Sequence, residues 1–117
     1  MTERMRRVNE ALREVLSEGV AELEDPRIGF VTVTGVAASS DLRHATVYVS
    51  VLGSKRKRGL ALAGLASARG ALQQRVGREL RLKRTPQLLF EYDPTVERGV
   101  RLSKLIDELT REEPDPD

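Results

Sequence analysis

The stretch "HATVYVSVL", starting at His44, leaves this chain the least freedom. Ala45, Val47, Val49 and Val51 alternate with His44, Thr46, Tyr48 and Ser50. Successive side chains of a strand point to opposite faces, so this pattern makes one face apolar and the other polar. Such a strand has to be covered on one side only. Upstream, "FVTVTGV" repeats the signal with Val31 and Val33 against Thr32 and Thr34, and the short polar connection "AASSDLR" predicts an antiparallel hairpin. "TPQLLFEYD" predicts a third strand, with Leu88, Phe90 and Tyr92 on one side, Leu89 and Glu91 on the other, and Asp93-Pro94 as its stop.

Helical spacing supplies the cover. Met5, Val8, Leu12, Val15, Leu16 and Gly19 predict an amphipathic helix over about 4–23. It ends at "EDPRIG", because Pro26 removes a backbone donor and biases Asp25 away from helix. Asp25, Pro26 and Arg27 read as a structural turn with an internal Asp–Arg pair. "GSKRKRG" reads as a basic loop, followed by a helix of small residues around Leu60, Leu62 and Leu65 that suits close approach to the sheet. A further helix is expected after Gly70. At about 100° per residue, Leu72, Val76 and Leu80 form one stripe, with Arg75, Arg78 and Arg81 broadly opposite. Leu102, Leu105, Ile106 and Leu109 mark a last helix. The predicted order is α-β-β-α-α-β-α, an α+β architecture whose helices cover a three-stranded sheet. Val31, Val33, Val47, Val49 and Leu88 are expected beneath those helices.

The chain has 117 residues and shows neither an internal repeat nor a second domain, so a single domain over 1–111 is expected, with an acidic flexible tail at 112–117. It has no cysteine, which excludes disulfides and thiolate metal sites, and His44 alone cannot build a multi-histidine site. No metal or cofactor is expected. No apolar run approaches membrane-spanning length and no apolar core follows the charged N-terminus, so the expectation is a cytoplasmic protein without a membrane partner. Neither GxxxxGK[ST] nor GxGxxG occurs, and no serine, cysteine or carboxylate frames His44 as a catalyst. An enzyme, or any small-molecule substrate, has no support.

The net charge of +2 conceals a separation. Residues 55–84 hold ten of the twenty Lys and Arg and one acid, Glu79, so this segment carries +9 and the remainder −7. A field of that kind suits a polyanion. Lys55, Arg56, Lys57 and Arg58 form its first cluster, and Arg69, Arg75, Arg78 and Arg81 are expected to share one phosphate-facing surface. Only four aromatic residues are present, which disfavours a fold that reads RNA by base stacking, and Phe30, Phe90 and Tyr92 are expected in the core or on the sheet. A binding module that meets an acidic protein through the same basic face is the competing reading.

Taken in order, "RRVNEALREVLSEGV", "DPRIGFVTVTGV", "SSDLRHATVYVSVLG", "GLASARGALQQRVGREL" and "LRLKRTPQLLFEYD" closely resemble the ribosome-binding factor A family over nearly the whole chain. The resemblance implies a type II KH-like domain. KH domains usually clamp a nucleic-acid backbone with a GxxG loop between two helices. "SARG" is not such a loop, and the family instead carries an Ala-x-Gly kink, matched here by Ala68-Arg69-Gly70. The resemblance further implies an assembly factor that binds the small (30S) ribosomal subunit and its 16S rRNA, assists late rRNA maturation, and matters most in the cold. It is expected to be a monomer off the ribosome. Arg69 and Gly70, at the kink, are then the foremost candidates for RNA contact.

Overall fold

The computed structural model describes residues 2–112, without the side chains of residues 96, 97, 100–102, 111 and 112. The expected tail therefore lies outside the described residues, except for Glu112, which closes the last helix. The element order is α1 (Glu3–Ala21), β1 (Val31–Ala38), β2 (His44–Val51), α2 (Lys55–Ser67), α3 (Arg69–Glu79), β3 (Gln87–Tyr92) and α4 (Thr95–Glu112). This is the order expected from the sequence.

Strand β2 is central, which accounts for its strict alternation. It pairs antiparallel with β1 and parallel with β3. Parallel neighbours require a crossover, and α2 with α3 provides it. Strand β1 does not alternate cleanly, because its inward residues are Val31, Val33, Val36 and Ala38. A bulge repairs the mismatch: Val33 pairs with Val49 but Gly35 with Tyr48, so Thr34 is the extra residue. The parity shift returns Val36 to the core face opposite Val47. Thr34 is fixed in turn by donating from its hydroxyl to Asp93 Oδ2 (2.7 Å), which ties the bulge to the end of β3.

Helices α1, α2 and α3 cover one face of the sheet. Leu12, Leu16, Val47, Val49, Leu65 and Val76 are fully buried between these layers. Val33, Val47, Val49 and Leu88 are buried as expected, whereas Val31 at the strand end is half-buried. Helix α1 starts with Thr2 as its cap, whose hydroxyl accepts from the Met5 N–H (3.1 Å). Of the two places expected for Phe30, the core and the sheet, it takes the sheet margin. Gly29, with φ +58°, turns the chain just before β1, and the Phe30 carbonyl accepts from the Leu52 N–H (3.2 Å) while its side chain stands 81% exposed on the side opposite the inward Val31. In α4, Leu105, Ile106 and Leu109 are also exposed. Among the described residues no helix is long and apolar enough to cross a membrane.

Two local differences bear on the basic segment. Residues 55–58 are not a loop but the first turn of α2, capped by Ser54, whose hydroxyl accepts from the Lys57 N–H (3.2 Å). Four cations at the positive end of a helix are unfavourable on local electrostatics, and that is why the charge run resembles a loop in sequence. The second difference is the break. Ala68, with φ −88° and ψ 1°, caps the end of α2 and the start of α3, so α3 begins before Gly70 and not after it.

Candidate nucleic-acid interface

The helix junction is held from below by the turn that ends α1. Asp25 Oδ1 accepts from the Arg27 N–H (2.9 Å), and Arg27 Nη2 donates to Asp25 Oδ2 (2.6 Å) and to Ser67 Oγ (3.2 Å). The expected Asp–Arg pair thus reaches the last residue of α2, next to Ala68. Gly64 makes the approach possible. A Cβ there would lie 2.7 Å from Ile28 Cγ1 and 3.3 Å from Asp25 Oδ2. Gly70 is different: it is exposed, its φ is not positive, and a Cβ would meet nothing within 4 Å. The kink is therefore a property of Ala68 and of the support beneath it, and the fold itself does not demand glycine at position 70.

The nine candidate residues do not form a single class. Arg75 lies toward α1 instead of the open side. Its side chain is 18% exposed, and its guanidinium meets three carboxylates: Glu22 Oε2 at 2.5 Å, and Glu18 Oε2 and Glu79 Oε2 at 3.4 Å each. Leu72 and Arg75 also enclose Gly19, where a Cβ would be 2.8 Å from Leu72 Cδ2. The helical projection misses this because the carboxylates of Glu18 and Glu22 come from α1 and its cap, more than fifty residues earlier in the chain. Arg58 is placed too, with its guanidinium 3.7 Å from the centre of the Tyr92 ring, a cation–π contact. Arg81 lies beyond α3, because Leu80 already has extended backbone (φ −118°, ψ 136°).

The remaining cations present a contrast. Arg6 and Arg7 pair with Glu3, Arg13 with Glu10, Arg27 with Asp25 and Arg43 with Asp41. Lys55, Arg56, Lys57, Arg69, Arg78 and Arg81 have no carboxylate partner among the described residues. Arg69 is half-buried at the junction, with its Nε inaccessible and without a hydrogen-bond partner among the described residues. A cation left unmatched where acids are plentiful elsewhere is positioned to meet an external anion.

The carboxylate pairs set the acid behaviour. Hydrogen bonds from Arg75 hold the Glu22 carboxyl below its ordinary value, those from Arg27 do so for Asp25, and those from Thr95 and Thr34 do so for Asp93. A carboxyl lowered by folding adds stability that is complete above its ordinary value and lost as the pH falls through the folded one. The melting midpoint is therefore expected to be level from neutral pH down to about pH 5 and to decline below it. Arg75→Met is expected to make that decline shallower, as read by thermal melts across a pH series. Equal acid slopes in the two proteins would show that the Glu22 pair contributes nothing.

The family model described as ribosome-binding factor A matches residues 4–106. The ribosome-binding factor A of Geobacter metallireducens is 45% identical over 114 residues, 97% of either chain. That of Geobacter sulfurreducens is 42% identical, over 96% of either chain. The crystal structure of ribosome-binding factor A from Thermus thermophilus superimposes with a TM-score of 0.69 at 32% identity, covering 75% of this chain and 94% of that one. A homology model of the Thermus thermophilus ribosome-binding factor A, as fitted into the cryo-EM map of a complex of the 30S subunit with that factor, gives a TM-score of 0.62 at 31% identity, covering 74% of this chain and 91% of that one.

Proposed function

Since the chain belongs to the ribosome-binding factor A family, we propose that it binds the small ribosomal subunit through rRNA and assists late maturation of that RNA, without a chemical step of its own. The observation that carries this reading is the concentration of cations without carboxylate partners among the described residues along α2, α3 and the residues just after it, Lys55 to Lys57, Arg69, Arg78 and Arg81, whereas Arg6, Arg7, Arg13, Arg27, Arg43 and Arg75 are each paired. Phosphate contacts fix position and orientation on a nucleic acid without reading sequence. Arg69 and Gly70, at the head of α3, supply a cation and an open backbone at the junction where a GxxG loop would stand. The factor acts in the cytoplasm, as a monomer when off the subunit. Its importance in the cold follows from the greater persistence of wrong RNA pairings at low temperature.

Two glycines separate support from contact. Gly70→Ala is expected to leave the melting midpoint unchanged or raise it, since alanine favours helix by about 0.5–1 kcal/mol. The same change is expected to weaken subunit binding, because the methyl group occupies the space an RNA backbone would use. Gly64→Ala is expected to destabilise by about 1–3 kcal/mol through overpacking against Ile28. Melts and subunit affinities for both variants decide the matter, and full-strength binding by Gly70→Ala would remove that residue from the interface.

Crosslinking in cells, followed by mapping of the bound molecule, tests the reading as a whole. Crosslinks from α2 and α3 are expected on rRNA of the small subunit, and a deletion strain grown cold is expected to accumulate immature small subunits. Crosslinks confined to proteins, with normal precursor processing in the cold, would favour the acidic-partner reading instead.

A further inference from the structure

At the end of the sheet where β2 and β3 begin, two connecting segments meet the start of α1 and line an open groove of about 570 Å³. Clefts that hold small ligands span about 300–1,000 Å³. The groove is apart from the α2–α3 junction and is built from three places in the chain: the first turns of α1, the β1–β2 connection, and the segment between α3 and β3. Its surface is mostly apolar. Met5 and Val8 are half-buried along α1, and Leu42 is 8% exposed. Leu42 has φ 59°, a left-handed conformation that non-glycine residues rarely adopt. It is held there by its own N–H donating to Ser39 O (2.9 Å), while Asp41 Oδ1 accepts from Ser39 Oγ (2.7 Å) and the Arg43 N–H (3.1 Å). The hairpin tip thus turns an apolar side chain inward, where a polar turn residue would be ordinary.

Arg4, Lys83 and Arg84 line the same groove, and all three are exposed. None makes a hydrogen bond or ion pair among the described residues, although Arg6 and Arg7, just beyond Arg4, are both paired with Glu3. The one acid in the groove, Asp41, serves the turn, lies 3.5 Å from Arg43 Nε and attracts Arg84 only at longer range. An apolar surface with unmatched cations at its edge is complementary to a molecule with an aromatic face and flanking anions. An unpaired nucleotide has that chemistry, since every base offers a π-face and every linkage a phosphate. A purely apolar partner would leave Arg4 and Lys83 unanswered and Arg84 with only the longer-range attraction of Asp41, and a folded duplex would keep its bases out of reach.

We propose that this groove seats one unpaired nucleotide of RNA, with its base against Met5, Val8 and Leu42 and its flanking phosphates on Arg4, Lys83 and Arg84. The proposal rests on the RNA-binding reading above and adds a second point of attachment, away from Gly70, which takes a base where the junction takes phosphates.

Methyl-detected NMR on the full chain tests it, with hexaadenylate RNA and an abasic hexamer of the same ribose-phosphate backbone as probes. Hexaadenylate is expected to shift the methyl signals of Met5, Val8 and Leu42, the abasic hexamer is expected to leave them in place, and R4A/K83A/R84A is expected to bind hexaadenylate at least tenfold more weakly. Those three side chains are exposed and make no hydrogen bond or ion pair among the described residues, so the variant is expected to melt close to the parent. Binding of the small subunit by the parent protein is measured alongside. Subunit binding without groove shifts, or shifts only near Arg69 and Arg78, would overturn this inference and spare the broader reading. Equal binding and equal shifts with the abasic hexamer would overturn the seating of a base. Shifts produced by purified small-subunit proteins but by neither oligonucleotide would assign the groove to a protein. Failure of the parent protein to bind small subunits at all would remove both readings.

Discussion

Leu65→Ala is expected to cost about 2–5 kcal/mol of unfolding free energy, the range for a large-to-small change in a closed core. Leu65 is fully buried, and it is the side chain through which α2 enters the cluster shared with Leu12, Leu16, Val47 and Val76. A domain of this size is stable by about 5–15 kcal/mol in total, so the loss takes a large share. The neighbourhood is poorly placed to collapse into the space. Gly64 and Ala61, the other buried residues of α2, have no side-chain length to give. The damage is also local to the junction, because Leu65 O accepts from the Ala68 N–H at 3.1 Å and Arg69 follows directly. Urea unfolding of the variant measures the loss, and a cost under about 1 kcal/mol would mean that α2 is not seated in the core as described.

The parts of this fold that could be read in the sequence are those in which one residue's environment is set by its immediate neighbours. Strand β2 is central and covered on one face, so its alternation appears undisturbed in "HATVYVSV". Helix α1 likewise shows its buried stripe, since Leu12, Val15, Leu16 and Gly19 all face the core. What the sequence hid was tertiary. The start of α2 resembles a loop because four adjacent cations oppose helix formation locally, and the Ser54 cap and the stacking of Arg58 on Tyr92 are visible only in three dimensions. Phe30 precedes the inward Val31, so alternation turns it to the outer side, where it stands 81% exposed while its carbonyl still accepts from the Leu52 N–H. The charge segregation was legible as a total. Its division into matched and unmatched arginines was not, because two of the acids that claim Arg75, Glu18 and Glu22, belong to α1 and its cap. A helical projection of α3 alone treats Arg75 and Arg78 alike. The groove at the hairpin tip had no signal at all, since Leu42 within "SSDLR" reads as an ordinary loop residue.

That division supplies the sharpest test of the interface. Arg69→Glu/Arg78→Glu/Arg81→Glu is expected to lower affinity for the small subunit by at least about 100-fold at low salt while the protein stays folded. Each neutralised phosphate contributes about 0.7 to 0.9 to the slope of log affinity against log salt, so losing three contacts is expected to flatten that slope by about 2 to 3. None of the three residues pairs with a carboxylate among the described residues, so reversal breaks no ion pair described in the fold. Arg75→Glu serves as the contrast. It puts a fourth carboxylate among Glu18, Glu22 and Glu79, so it is expected to lower the melting midpoint, and more so at low salt, where repulsion is least screened. Its folded fraction, measured well below that midpoint, is expected to keep a salt slope close to that of the parent. Subunit affinity across a salt series, with melts for each variant, distinguishes the two kinds of arginine. A triple variant that binds with the parent's affinity and slope would reduce Arg69, Arg78 and Arg81 to solvated surface, and a slope flattened by Arg75→Glu alone would return that residue to the phosphate-facing set.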